Sequence, residues 1–167
     1  AGVTDNFFSG SNSFRPNFTF LFDRTYAKAV LSVQEDWINN GTFVPGYSRV
    51  LLDSTRIQTI SGTSVTMFNE LEVSKGAAAQ TVTLQKDMII DSSLILTQGA
   101  LLMNGKYIRM NNGAPSAGSL LAPTGPFTRT NGFLISENAA SLVIWKNVNN
   151  NGYRVVPFGS EAIATPV

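Results

Sequence analysis

Short apolar pulses separated by Gly, Ser and Asn fill the stretch from Val50 to Asn112: Val50-Leu51-Leu52, Phe68 to Val73, Thr81 to Leu84, Met88 to Ile90, Leu94 to Leu96, Leu101 to Met103 and Ile108 to Met110. Period-two alternation recurs within short runs, and a 3.6-residue stripe is nearly absent, so the pattern predicts short strands that each bury one side. The predicted strands are Phe18 to Phe22, Ala29 to Val33, Thr42-Phe43, Arg49 to Leu52, Ile57 to Ile60, Met67 to Val73, Thr81 to Leu84, Met88 to Leu96, Leu101 to Met110, Phe133 to Ser136, Ser141 to Trp145 and Tyr153 to Val156. Turns are expected where Gly, Pro and Asn cluster, at Asn39-Asn40-Gly41, Pro45-Gly46, Ser61-Gly62, Gln98-Gly99, Asn104-Gly105, Asn111 to Gly113, Thr124-Gly125-Pro126 and Asn149 to Gly152. Only Asp23 to Lys28 has the spacing of a helical turn.

A step of 19 residues lands on apolar positions at Phe14, Val33, Leu52, Leu71 and Ile90, and a second register joins Val82, Leu101 and Leu120. In a chain with 43% hydrophobic residues such a run also arises by chance, so the period by itself does not choose an architecture. The expected fold class is all-β, a parallel β-helix or solenoid-like stack of short strands, with a β-sandwich as the alternative. Asn104-Gly105 fits either: a type I′ turn would make a hairpin of Leu101-Met103 and Tyr107-Ile108, whereas a solenoid would use the same pair as a left-handed corner.

Composition narrows the chemistry. The 167 residues suffice for one core, and 14% charge with 14 Gly and 7 Pro argue against a helical bundle. Twelve Lys and Arg against 11 Asp and Glu are scattered along the chain, which leaves no electrostatic footprint for nucleic acid. With no Cys there is no disulfide, thiol nucleophile or Cys-ligated metal, and with no His the commonest general base and zinc ligand are missing. No apolar run approaches the roughly 20 residues that a helix needs to cross a bilayer. The start at Ala1, without a charged and then apolar leader, leads us to expect a mature product or part of a longer protein.

The segment Asp36-Trp37-Ile38-Asn39-Asn40-Gly41-Thr42-Phe43-Val44-Pro45-Gly46, followed by Arg49 to Asp53, Gln58-Thr59-Ile60-Ser61-Gly62, Phe68-Asn69-Glu70-Leu71-Glu72-Val73 and Thr81-Val82-Thr83-Leu84, resembles a repeat of large secreted Bacteroidota surface proteins. Gly132 to Glu137 and Val156-Pro157-Phe158-Gly159 resemble the closing section of that repeat, so the likeness covers roughly residues 30–167. It implies an extracellular or cell-surface, adhesin-like protein exported by the type IX secretion system. A separate C-terminal sorting domain, usual in that family, is not recognisable in this chain.

Candidate sites follow from the residues that remain. Trp37 is expected under the Asn-Gly turn, because an indole buries ~200 Å² and its N–H needs one partner. Trp37, Trp145 and Tyr153 are also the candidate sugar-stacking aromatics. Phe43 and Phe68 read as interior residues. Glu70 and Glu72 share a strand face and read as the solvated side of an amphipathic rung. As a glycosidase pair they would need to line one groove at roughly 5–10 Å. Asp87, Asp91 and Ser92 form the best local oxygen cluster for Ca²⁺, without a calcium-loop motif. Asp53-Ser54-Thr55 resembles the Bacteroidota O-glycosylation sequon, with Ser54 as acceptor at an exposed strand end.

These readings divide the chain into a lead-in or N-terminal cap at 1–30, β-repeat rungs at 31–113 and a closing β section at 114–167 that is expected to continue into further domains. The expected function is a non-catalytic structural or adhesive module of a larger secreted protein, without cofactor or metal. A carbohydrate-binding module is the alternative, and a β-helix glycoside-processing enzyme comes third. Expected partners are neighbouring domains, other surface or secretion proteins, or glycans, with no nucleic acid and no membrane span.

Overall fold

The computed structural model describes residues 20–21, 28–111, 127–146, 156–160 and 163–166, with no side-chain placement at 20–21, 127–128, 160 and 163–166. In chain order the strands are β1 (Phe20–Leu21), β2 (Val30–Val33), β3 (Trp37–Ile38), β4 (Phe43–Val44), β5 (Arg49–Leu52), β6 (Gln58–Ser61), β7 (Thr66–Ser74) and β8 (Thr81–Leu84), then β9 (Met88–Gln98), β10 (Ala100–Leu102), β11 (Tyr107–Met110), β12 (Phe127–Arg129), β13 (Phe133–Ile135), β14 (Leu142–Trp145), β15 (Gly159–Ser160) and β16 (Ile163–Pro166). The described residues contain no helix, and hence none long and apolar enough to cross a membrane.

Every pairing except β15 with β16 is parallel, and the strands stack as a β-solenoid rather than a sandwich. One five-stranded sheet runs β13-β10-β8-β6-β3. A second, seven-stranded sheet runs β14-β11-β9-β7-β5-β2, with β12 also on β9, and β1-β4 and β15-β16 make two two-stranded sheets. Because β7 and β9 are long, this second sheet covers two sides of the solenoid. Their first halves pair with each other and with β11, whereas their second halves pair with β5 and β12. The bend in β7 falls at Asn69, where the register shifts between Phe68 and Glu70. Alternation fails there as a consequence: Phe68 and Asn69 are both buried in succession, and the Asn69 side-chain amide donates to the Ser48 carbonyl at 3.2 Å.

In-register parallel pairing turns the apolar pulses into interior columns. Leu31, Val50, Leu71 and Leu94 form one column, and Val33, Leu52, Val73 and Leu96 form the next. None of these residues is more than 4% exposed. Opposite them Phe68, Ile90 and Met110 stack on the third side. Burying each such side chain contributes about 1.5–3 kcal/mol before entropy is counted.

The 19-residue step is real in places and fails in others. Val33 does pair with Leu52, and Val82 with Leu101. Leu52, however, pairs with Val73 rather than Leu71, a step of 21, because successive turns differ in length, the corner before β6 running over 53–57 and the one before β3 only over 34–36. Ile90 sits on the third side, and Leu101 is followed in its column by Leu134, a step of 33. Leu120, where the 19-residue step would have landed, lies outside the described residues, as do Phe14, Tyr153 and most of the Asp23-to-Lys28 turn. Asn104 and Gly105, at φ 50° and 72°, make the left-handed corner that divides the predicted Leu101-to-Met110 strand into β10 and β11, which belong to different sheets. Trp37–Ile38 escaped prediction because two residues are too few to show alternation.

The corners also hold the tightest backbone approaches. At Gly62, φ is 116° and a Cβ would lie 2.1 Å from the Asn39 carbonyl oxygen, so only glycine fits. Phe68→Ala is expected to cost about 3–5 kcal/mol, whereas Met67→Ala on the outer surface should stay within about 0.5 kcal/mol. Urea unfolding midpoints at constant m-value distinguish the two, and equal losses would contradict the assignment of inner and outer sides.

Candidate functional site

Among the described residues, the predicted site residues do not converge on one place. Trp37 opens β3, just before the Asn39-Asn40-Gly41 turn, and its ring is enclosed at 0% exposure by Phe43 and Phe68, whose centroids lie 4.9 and 5.1 Å away. Its Nε1 donates to Thr66 Oγ1 at 3.0 Å, the same hydroxyl that accepts Asn39 Nδ2 at 3.0 Å. Asn39 in turn accepts the Gly41 backbone N–H at 3.1 Å, and Asn40 accepts that of Thr63 at 3.0 Å. Trp37 is therefore a core residue under the Asn-Asn-Gly turn, as its first reading anticipated. Sugar stacking at Trp37 is excluded, because neither ring face reaches the surface. Trp145 is half-buried, packs against the core, and pairs with Met110 on the adjacent strand. Tyr153 lies outside the described residues.

Glu70 and Glu72 do share the outer side of β7, but they are not simply solvated. Parallel register places Arg49 opposite Glu70. Its Nε donates to Glu70 Oε2 at 2.9 Å, and its Nη1 to Glu72 Oε2 at 2.8 Å. Lys28 pairs with the other Glu70 oxygen, and Thr97 Oγ1 donates to the other Glu72 oxygen at 2.8 Å. All four carboxylate oxygens are engaged. Burial works against the Arg49 charge, yet the two glutamates outweigh it and raise its pKa above the ordinary arginine value. Such a chain of opposite charges across three strands pins the register from outside, and an acid that must exchange protons is poorly served by it.

Ser54 contradicts the expectation of an exposed hydroxyl. It is 3% exposed, and its Oγ accepts the Arg56 backbone N–H at 3.1 Å, so the hydroxyl closes the corner from within while Thr55, Arg56 and Ile57 face outward. A glycan at Ser54 has no room in the folded chain. The Asp87 and Asp91 carboxylates are used for rung-to-rung bonds: Asp87 accepts the Tyr107 backbone N–H at 3.0 Å and Asp91 accepts Asn111 Nδ2 at 3.1 Å. Among the described residues no group of three or more carboxylates is placed to hold a metal ion.

One polar constellation was not anticipated. At the corner joining the two sheets, Lys75 and Gln58 are enclosed together at 2% and 1% exposure, with Lys75 Nζ donating to Gln58 Oε1 at 2.6 Å. Nearby, Asp53 accepts hydrogen bonds from Ser32 Oγ at 2.9 Å and from Gln34 Nε2. Burial pushes the Lys75 ammonium down to about 8, against the opposing pull of the Asp53 charge. Nothing local marks this pair in the sequence, since the two side chains meet only across rungs.

Thr66→Val should cost about 2–4 kcal/mol, because one substitution leaves both Trp37 Nε1 and Asn39 Nδ2 without their shared acceptor. Arg49→Met should cost only about 1 kcal/mol, shrinking further in 1 M salt. Denaturant titrations at low and high salt check both; a salt-dependent Thr66→Val effect or a salt-independent Arg49→Met effect would contradict these roles.

No protein-family model matches this chain, and no significant match to it is found among curated proteins or solved structures.

Proposed function

We propose that this chain is a non-catalytic structural or adhesive module of a larger secreted surface protein, a stiff shaft built from stacked β rungs. The observation that carries the reading is the parallel, in-register stack itself, whose interior runs as continuous apolar columns from β2 to β9, with Trp37, Ile60 and Leu84 and then Val82, Leu101 and Leu134 stacked on the other sheet. A stack of this kind bears load along its axis through many backbone hydrogen bonds and offers long outer faces for contact. The carboxylate pair best suited to hydrolysis is tied into ion pairs on an outer side, which favours a scaffold over an enzyme. The likeness of the Trp-Ile-Asn-Asn-Gly, Gln-Thr-Ile-Ser-Gly and Phe-Asn-Glu-Leu-Glu-Val elements to Bacteroidota surface repeats supports an extracellular location and type IX export. Neighbouring domains and other surface proteins are the partners that such a shaft would join.

Carbohydrate binding is the second reading, and it rests on Trp145, which is enclosed only in part. Antibody labelling of intact producing cells should find the module outside, with the signal lost when the type IX exporter is inactivated. Retention inside the cell with the exporter intact would overturn the assignment. On a glycan array the shaft reading expects no Trp145-dependent binding, whereas a signal abolished by Trp145→Ala would establish the second reading in its place.

A further inference from the structure

Gln58 belongs to β6 and Lys75 follows β7, so the 2.6 Å contact between them spans successive turns of the solenoid. Both partners are immobilised. Gln58 Nε2 donates to the Val33 carbonyl at 2.9 Å and to the Glu35 carbonyl at 2.5 Å, which fixes the amide and presents its oxygen to the lysine. The Lys75 backbone N–H donates to Gln98 O at 3.0 Å. The lysine stem runs so close to Gly99 that a Cβ there would come within 2.5 Å of Lys75 Cγ.

An enclosed ammonium is costly unless a carboxylate neutralises it directly, and among the described residues no ion pair joins Lys75 to one. With its pKa near 8, a share of the group is a neutral amine close to neutral pH, and a desolvated neutral amine is a nucleophile. The group it touches is an acyl donor.

We propose that Lys75 and Gln58 form an intramolecular isopeptide bond that staples one rung to the next. The neutral Nζ lone pair attacks Gln58 Cδ to give a tetrahedral intermediate. Nζ then gives up one proton, the Cδ–Nε2 bond breaks with its electron pair going to nitrogen, and Nε2 takes that proton and leaves as ammonia. The Val33 and Glu35 carbonyls that hold Nε2 accept hydrogen bonds from the departing ammonia, and the proton passes from Nζ to Nε2 within the tetrahedral intermediate. No oxidant, metal or second substrate is required. The chemistry does not depend on the shaft reading, although a covalent tie between rungs would stiffen a shaft.

The test is mass spectrometry of the full chain purified without denaturation, followed by tryptic digestion after unfolding. The expected result is an intact mass lower than the sequence mass by one ammonia, no cleavage after Lys75, and a loop-linked peptide running from Ile57 to Lys86. An unmodified mass with normal cleavage after Lys75 overturns the proposal. So does a loss of ammonia that leaves Lys75 cleavable, since that identifies succinimide formation at an Asn-Gly pair. Lys75→Met should restore the full calculated mass, but the wild-type digest decides even if this variant folds poorly.

A second measurement uses linkage. A free Lys75 with a folded pKa near 8 binds fewer protons than the unfolded chain between about 8 and 10.5, so its stability would climb with pH across that window. The linked chain has no amine to titrate, and its urea midpoint should follow the same pH course as Lys75→Met. A rise seen only in the wild type would overturn the bond. Cell-surface labelling, by contrast, is indifferent to this outcome.

Discussion

Parallel in-register hydrogen bonding between rungs is the constraint on which everything else in this molecule depends. It forces each inward residue to sit on the inward residue of the turn before, so Leu31, Val50, Leu71 and Leu94 share one column. Slipping any rung by one residue would move its whole apolar set to the outside, a penalty far larger than any single contact. With little charge and no disulfide to assist, the chain relies on these columns and on the backbone ladder for its cohesion.

The corners absorb what that regularity cannot. Each change of side leaves backbone groups without ladder partners, and short polar side chains satisfy them: Asn39 for Gly41, Asp36 for Thr59, Ser54 for Arg56, Asp87 for Tyr107 and Asn104 Nδ2 for the Leu84 carbonyl. Residues that looked chemically available in isolation turn out to be occupied this way. The same bookkeeping explains why the rungs vary in length: a corner can lengthen by two residues so long as its polar groups are closed and the strands return to register.

Charge is arranged around the ladder rather than toward a pocket. Lys28, Arg49, Glu70 and Glu72 lie on the outer side of neighbouring strands and neutralise one another. The enclosed Lys75–Gln58 contact is the exception, a nucleophile and an acyl group held against each other in the interior of a corner.

Period-two alternation sufficed to place most of the strands, from Ala29-to-Val33 through Met67-to-Val73 to Ser141-to-Trp145, because inward burial on one side of a strand is written locally. The interior roles of Phe43 and Phe68 and the shared side of Glu70 and Glu72 were legible for the same reason, whereas Asn104-Gly105 marked a turn without choosing between a hairpin and a corner. What tertiary structure alone decided is how the turns stack: that Leu52 meets Val73 and not Leu71, that Arg49 comes to lie between two glutamates, that Ser54 is enclosed, and that Lys75 meets Gln58. A single chain records which residues point inward, since that depends on neighbours one and two places away. It does not record the unequal corner lengths that set the register between rungs, and every contact across rungs follows from that register.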